Sequence, residues 1–311
     1  VNDVSFVKRN EIDDKRWNEL ITNSVYSLPY GFTWYLDAVA ENWDALIAGD
    51  YVAVMPMVWL KKLGIKCVYQ PYFCQQLGIF SALPLNAALT SSFLDIAKKH
   101  FKYIDCNFNY LVAGEAAHYE MQPKKNLVLG LNHPYAQLKK GYSQSHRRNI
   151  TKATKAGLIF QENVEPAGFS RFYLSTIDRS KQNFKPKHEQ IFIKLLNALF
   201  AQNCGHIAAA VNDEGHLYSA VLLINHQNRI INIINATSPQ GMQTGAAPFM
   251  FDKLIQKQAG NALVLDFEGS SFPSIARFYA GFGATVEVFY HFKHVIIKSA
   301  GQLFLKKAHL Y

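Results

Sequence analysis

The stretch LDFEGSSFPSIARFYAGFGA, residues 265 to 284, brings two carboxylates and a phenol close together in the chain. Side chains of a strand alternate faces, so Leu263, Leu265 and Phe267 are expected on one side and Val264, Asp266 and Glu268 on the other. Two carboxylates at one strand end raise each other's pKa, which is the setting for proton transfer. The structural alternative is that they hold backbone N–H groups or Arg277. Tyr279 falls on a short amphipathic helix closing on Gly283, where a tyrosine also serves as a packing residue with its hydroxyl at the rim.

A second group is basic. In SHRRNITKATKAG, Arg147, Arg148, Lys152 and Lys155 lie within a few helical turns, with Arg148 and Lys152 four apart on one face. Such neighbours repel mildly, and a bound phosphate reverses that sign, so Arg147, Arg148 and Lys152 are candidate anion contacts; a solvated face is the alternative. In SPQGMQTGAAP, Gly241 and Gly245 flank Gln243 and Thr244 just before Pro248, a residue suited to a first helical turn. Glycines at a helix N-terminus let a phosphate approach unpaired N–H groups; a plain strand-to-helix connection would look the same. In VYQPYFCQQLGIF, Gln70, Gln75 and Gln76 either line an interdomain substrate cleft or satisfy irregular backbone. The eleven histidines show no metal-ligand spacing, and no GxSxG elbow or P-loop is present, so no metal is expected.

These residues need elements to hold them. The basic stretch reads as a helix from about Ser143 to a stop at Gly157, followed by the strand LIFQENV and the helices GFSRFYLSTIDRSK and HEQIFIKLLNALFAQN. HIAAAV, HLYSAVLLINH and RIINIINAT, divided by short turns, predict an antiparallel meander. A helix, the strand NALVLDFEG, a second helix and the strands ATVEVFYHF and HVIIK complete an antiparallel sheet that acquires a crossover and a parallel neighbour. The first half repeats the order faintly: a hairpin turning at Gly49 and Asp50, a strand, the helix LNAALTSSFLDIAKKH and the strands FKYIDCNFN and KKNLVLGL. This predicts an α/β (α+β) protein of two domains, residues 1–138 and 139–311, parted where LNHPYAQLKKG loses its apolar periodicity.

Composition agrees with two packed cores. Of 311 residues, 49% are hydrophobic and 18% charged, which argues against long disordered tails. No apolar run is long enough to span a bilayer, so stable membrane insertion is not expected, and the mixed charges of VNDVSFVKRNEIDD do not form a signal peptide, which makes a cytoplasmic location the expectation. Cys67, Cys74, Cys106 and Cys204 lack any paired spacing and read as small core residues. The formal charge is +9, and the segment Lys139 to Lys187 carries eleven basic residues against three acids. An anionic partner such as a phosphate-bearing substrate or RNA is implied, or a solvated basic face.

SHRRNITKATKAGL, SPQGMQTGAAPFMFDKLIQ and DFEGSSFPSIARFYAGFGA together resemble the GNAT-like acyl-CoA N-acyltransferase superfamily, and more narrowly its FemA/FemB/FemX-related and BioF2-like bacterial members. The resemblance covers residues 141 to about 292 and implies two tandem GNAT-like domains, each a mixed, mainly antiparallel sheet flanked by helices. It further implies transfer of an acyl group from acyl-CoA to a small-molecule or peptide amine, with the loop of Gly241, Gln243, Thr244 and Gly245 on the CoA pyrophosphate. Tyr279 would protonate the departing thiolate, and Glu268, with Asp266 behind it, would take the ammonium proton of the acceptor. Arg147, Arg148, Lys152 and Gln75 would bind substrate. The FemX-like route, with aminoacyl-tRNA as donor, and a non-catalytic binding protein are the alternatives. Phe272 replaces a common Asn of the motif, Ala284 replaces a final Phe, and the middle loop lacks the arginine-rich glycine pattern.

Overall fold

The computed structural model describes residues 3–109, 119, 121–180, 183–269 and 273–296. Phe272 and the last two residues of HVIIK lie outside the described residues. The chain forms two compact units, one of Val1–Lys124 with the return from Val288, the other of Lys125–Glu287. The division therefore falls earlier than residue 138, and the last described strand returns to the first unit, a connection that periodicity along the sequence does not register.

The first unit runs β1 (Val4–Lys8), α1 (Asp14–Asn23), α2 (Thr33–Val39), β2 (Asn42–Ala48), β3 (Ala53–Lys62), β4 (Ile65–Tyr69), β5 (Phe80–Ser81), α3 (Ala87–His100) and β6 (Tyr103–Phe108). Strands β1 to β4 form an antiparallel meander, β5 adds to β3, and β6 pairs parallel with β4 after the crossover through α3. Helix α3 starts where the Asn86 side chain accepts from Leu89 N and ends in Lys98, Lys99 and His100, which favour the negative end of the helix dipole. Its apolar face, including Leu89, Phe93, Leu94 and Ala97, packs on Leu46, Met55 and Ile104.

The second unit begins in β7 (Met121–Gly130) and continues through α4 (Tyr135–Lys140), α5 (Gln144–Lys155), β8 (Ile159–Glu162), α6 (Pro166–Thr176), α7 (Pro186–Ala201), β9 (Gly205–Val211), β10 (Leu217–His226), β11 (Arg229–Thr237), α8 (Pro239–Thr244), α9 (Ala246–Gln258), β12 (Val264–Asp266), α10 (Pro273–Ala280) and the start of β13 (Thr285–Val295). Strands β8 to β11 are antiparallel, β12 joins β11 in parallel after α9, and β7 closes on β12 antiparallel. The later part of β13 pairs with β6 of the first unit. Where two separate strands were expected from residue 284, β13 is continuous. The core sets Phe249, Met250, Phe251 and Leu254 of α9 against Leu223, Leu265, Phe267 and Phe282. The fold is thus α/β, with mixed sheets flanked by helices, and the meander, crossover and parallel neighbour occur in both units as the element order predicted.

Candidate active site

Strands β11 and β12 are paired over only three positions, Arg229↔Val264, Ile230↔Leu265 and Ile231↔Asp266. Beyond them β11 runs on to Thr237, whereas Phe267 N donates to Leu127 O of β7. Neighbouring parallel strands that part expose backbone and side chains that no ladder satisfies. The residues at this parting are Asn232, Asn235, Phe267, Glu268 and Tyr279.

A β-bulge decides which way the two asparagines face. The β10–β11 register passes from Leu222↔Ile234 to Leu223↔Asn232, so Ile233 is an extra residue on β11. Without it, positions three apart would point to opposite faces. With it, Asn232 Nδ2 and Asn235 Nδ2 both donate to the Tyr279 hydroxyl oxygen, at 2.9 and 2.5 Å. The Tyr279 ring stacks on Phe267 with centroids 4.8 Å apart. Burial pushes the phenol up to about 12, the two amides pull the other way, and the charge of Glu268 adds to the rise. Tyr279 therefore holds its proton, its oxygen is filled by two donors, and among the described residues it has no acceptor for that proton. Asn232 Oδ1, also buried, has no hydrogen-bond partner among the described residues.

The shared face expected for Asp266 and Glu268 does not form. Strand β12 ends at Asp266, and Glu268 adopts φ 57°, a left-handed conformation that costs a non-glycine residue about 1–3 kcal/mol and breaks the alternation. Asp266, 3% exposed, accepts from Arg229 Nη1 at 2.6 Å, Asn126 Nδ2 at 3.0 Å and Glu268 N at 2.8 Å. Burial raises its pKa, with Arg229 opposing the rise. Asp266 is thereby committed to fixing the strand end and the Glu268 backbone. Its cation is Arg229, which also reaches Glu287 at 2.5 Å, and not Arg277. Glu268 is half-buried and close enough to act electrostatically on Tyr279.

The glycine loop departs from its expected form. Residues Pro239–Thr244 are helix α8, capped by Ser238 Oγ accepting from Gly241 N, and Gly245 N donates to Gly241 O. Neither amide is presented to a phosphate. Gly241 is required for packing, since a Cβ there would lie 2.0 Å from Tyr218 O, and Gly245 has φ 81° with Asn149 O 2.6 Å from where its Cβ would be. Gln243 is exposed, and Thr244 Oγ1 bonds back to Gln240 O. A phosphate approach at these glycines is closed by the chain itself.

Helix α5 forms where predicted, capped by Ser143 Oγ accepting from His146 N. Buried His146, Ile150 and Ala153 fix it in place, which leaves Arg147, Arg148 and Lys152 exposed. Arg147 Nη2 donates to Lys140 O at 2.8 Å, whereas Arg148 and Lys152 make no ion pair among the described residues. Gln75 belongs to the first unit, where its carbonyl accepts from Asn107 Nδ2 and its side chain from Gln76 Nε2. The structure thus joins Glu268 and Tyr279 within one site and places Gln75 in the other unit. Asn232 and Asn235 were missed by sequence reasoning; the signal was two amides in the otherwise apolar run RIINIINAT. All four cysteines are free, and among the described residues no group of three or more His, Cys, Asp or Glu is arranged to hold a metal ion. No described helix is long and apolar enough to cross a membrane.

Parting strands beside a bulged neighbour, present in a chain of two similar units, invite comparison with solved structures. FemX superposes with a TM-score of 0.67 over 94% of this chain and 98% of its own, at 12% identity. The fold is GNAT-like and FemX-related. L-PGS from Bacillus licheniformis gives a TM-score of 0.58 over 94% of each chain at 10% identity. A tandem GNAT protein from the clavulanic acid biosynthesis pathway gives 0.54 over 94% of this chain and 98% of its own, also at 10% identity. No family model and no curated protein matches the sequence. These likenesses extend over both units and are likenesses of fold.

Proposed function

We propose that the second unit transfers an acyl group from an activated donor, a thioester or an ester, to an amine. The observation that carries this reading is the Tyr279 hydroxyl at the parting of β11 and β12, its oxygen filled by Asn232 and Asn235 and its proton unclaimed among the described residues. The amine nitrogen attacks the donor carbonyl, a C–N bond forms, and the C–S or C–O bond breaks. Glu268 takes the proton lost by the amine, and Tyr279 gives one to the departing thiolate or alkoxide. Asp266 and Arg229 act indirectly, by holding Glu268 in place. Positioning supplies the rest of the acceleration.

Coenzyme A fits this site in part. Its thiol end would meet a proton donor at Tyr279, and the unpartnered Asn232 Oδ1 suits an N–H of a ligand. Its pyrophosphate finds no free amide at Gly241 or Gly245, so phosphate contacts would fall to Arg148 and Lys152. The exposed basic face of α5 equally favours a second reading, an aminoacyl group delivered on tRNA. Calorimetric titration of coenzyme A and acetyl-CoA at moderate and high salt, with adenosine diphosphate as control, separates them. Binding that exceeds the control and survives salt supports the thioester donor; no coenzyme A binding, with salt-sensitive tRNA binding, supports the second.

A further inference from the structure

Among the described residues each unit contains one short parallel strand pair, and both pairs stop at an aspartate: Tyr69↔Asp105 between β4 and β6, and Ile231↔Asp266 between β11 and β12. Both aspartates are buried and held by cations, Asp105 by Lys293 Nζ at 2.6 Å and Asp266 by Arg229 Nη1 at 2.6 Å. Beyond the aspartates the two partings differ. In the second unit Asn232 follows the last pair and keeps an unpartnered buried oxygen.

In the first unit the corresponding residue is Gln70, and both ends of its amide are used. Gln70 Oε1 accepts from Asn107 N at 2.8 Å, and Gln70 Nε2 donates to Cys74 O at 2.6 Å. The chain then folds back into the parting. Leu77 forms a parallel bridge with Phe108, its N donating to Asn107 O at 3.0 Å and its O accepting from Asn109 N at 2.8 Å. Asn107 Nδ2 donates to Gln75 O, and Asn109 Nδ2 to Ile79 O. Gly78, at φ 107°, lets this backbone lie against β6, since a Cβ there would stand 3.1 Å from Asn109 N. Gln76, Leu77 and Ile79 are all at most 5% exposed.

We infer that the first unit's strand parting is not a ligand site, because residues 70–79 of the chain occupy it, clasped by Gln70. A ligand taken between parted strands is then held by the second unit alone, one per chain, and the first unit is not a second reaction centre. This inference goes beyond acyl transfer, and its test needs no donor.

Cys74 reports on the clasp, since its carbonyl and its Sγ both face Gln70 Nε2, at 2.6 and 3.5 Å. The full chain is treated with N-ethylmaleimide, quenched over time and mapped by mass spectrometry, in buffer and in urea. Cys74 should react at least about 100-fold more slowly in buffer than in urea, and Gln70→Ala should raise its native rate at least about 10-fold with circular dichroism unchanged. Native labelling as fast as in urea, or a folded Gln70→Ala variant with an unchanged rate, overturns the inference. Should Gln70→Ala not fold, hydrogen exchange in the unsubstituted chain decides: Leu77 and Asn109 amides as slow as Ile104 support the plug, and exchange at loop rates overturns it.

Discussion

Asn232 Nδ2 donates to the Tyr279 hydroxyl at 2.9 Å from the first β11 residue past the last rung shared with β12. Replacing Asn232 by Leu removes one of the two donors that orient the phenol. If Tyr279 is the proton donor, turnover falls about 5- to 10-fold with a smaller change in KM, because a net hydrogen bond of this kind is worth about 1–1.5 kcal/mol. Steady-state kinetics of the variant checks this; a change confined to KM would assign Asn232 to ligand binding alone.

Glu268 stores backbone strain at φ 57°. Glu268→Gln is expected to lower turnover about 100-fold while donor affinity is retained, the size of a lost general base. Glu268→Gly should lose the same activity without losing stability, because glycine adopts this conformation freely. Urea midpoints together with turnover for both variants separate the two roles.

The ion pair beneath the site is structural. Arg229→Ala leaves Asp266, 3% exposed, without its cation, and the cost is expected at about 3 kcal/mol, the lower end for breaking a buried pair. Chemical denaturation measures it directly. A loss below about 1 kcal/mol would show that Asn126 and the Glu268 amide suffice to hold Asp266.

Acid should destabilise the second unit through two of its histidines. Burial lowers His188 and His226 each from 6.5 to about 4, with Lys187 and Lys185 adding to the effect at His188. The unfolded chain takes up these protons as pH falls through 6.5, while the folded chain resists until about 4. The stability from both groups is therefore intact above pH 6.5 and is lost progressively between 6.5 and 4. Thermal unfolding at pH 7.5, 6 and 5 should show a falling midpoint, and glutamine at both positions should flatten the profile.

Much of this fold was legible in the sequence because its signals are local. Ser143 and Gly157 bracket α5, and polar turns separate the strands of the meander, so cap and turn chemistry placed those elements. Most missed features depend on contacts remote in sequence. Ser238 followed by Pro239 is a local helix-start signal that the glycine reading passed over, whereas nothing local to Pro239–Thr244 shows that Tyr218 would demand a glycine at 241. Alternation put Asp266 and Glu268 on one face, and the left-handed Glu268 together with Arg229, thirty-seven residues away, undid it. Asn232 and Asn235 converge only because of the bulge at Ile233, a register shift set by β10.

The most direct test of acyl transfer with Tyr279 as the proton donor compares the unsubstituted chain with Tyr279→Phe on thioesters of one acyl group whose leaving thiols differ in pKa. Because Tyr279 keeps its proton up to about pH 12, its contribution should grow as the leaving thiolate becomes more basic. The account predicts a loss of about 100-fold or more for the most basic thiolate, shrinking toward none for the most acidic. An equal loss across the series, or no loss at all, would contradict it.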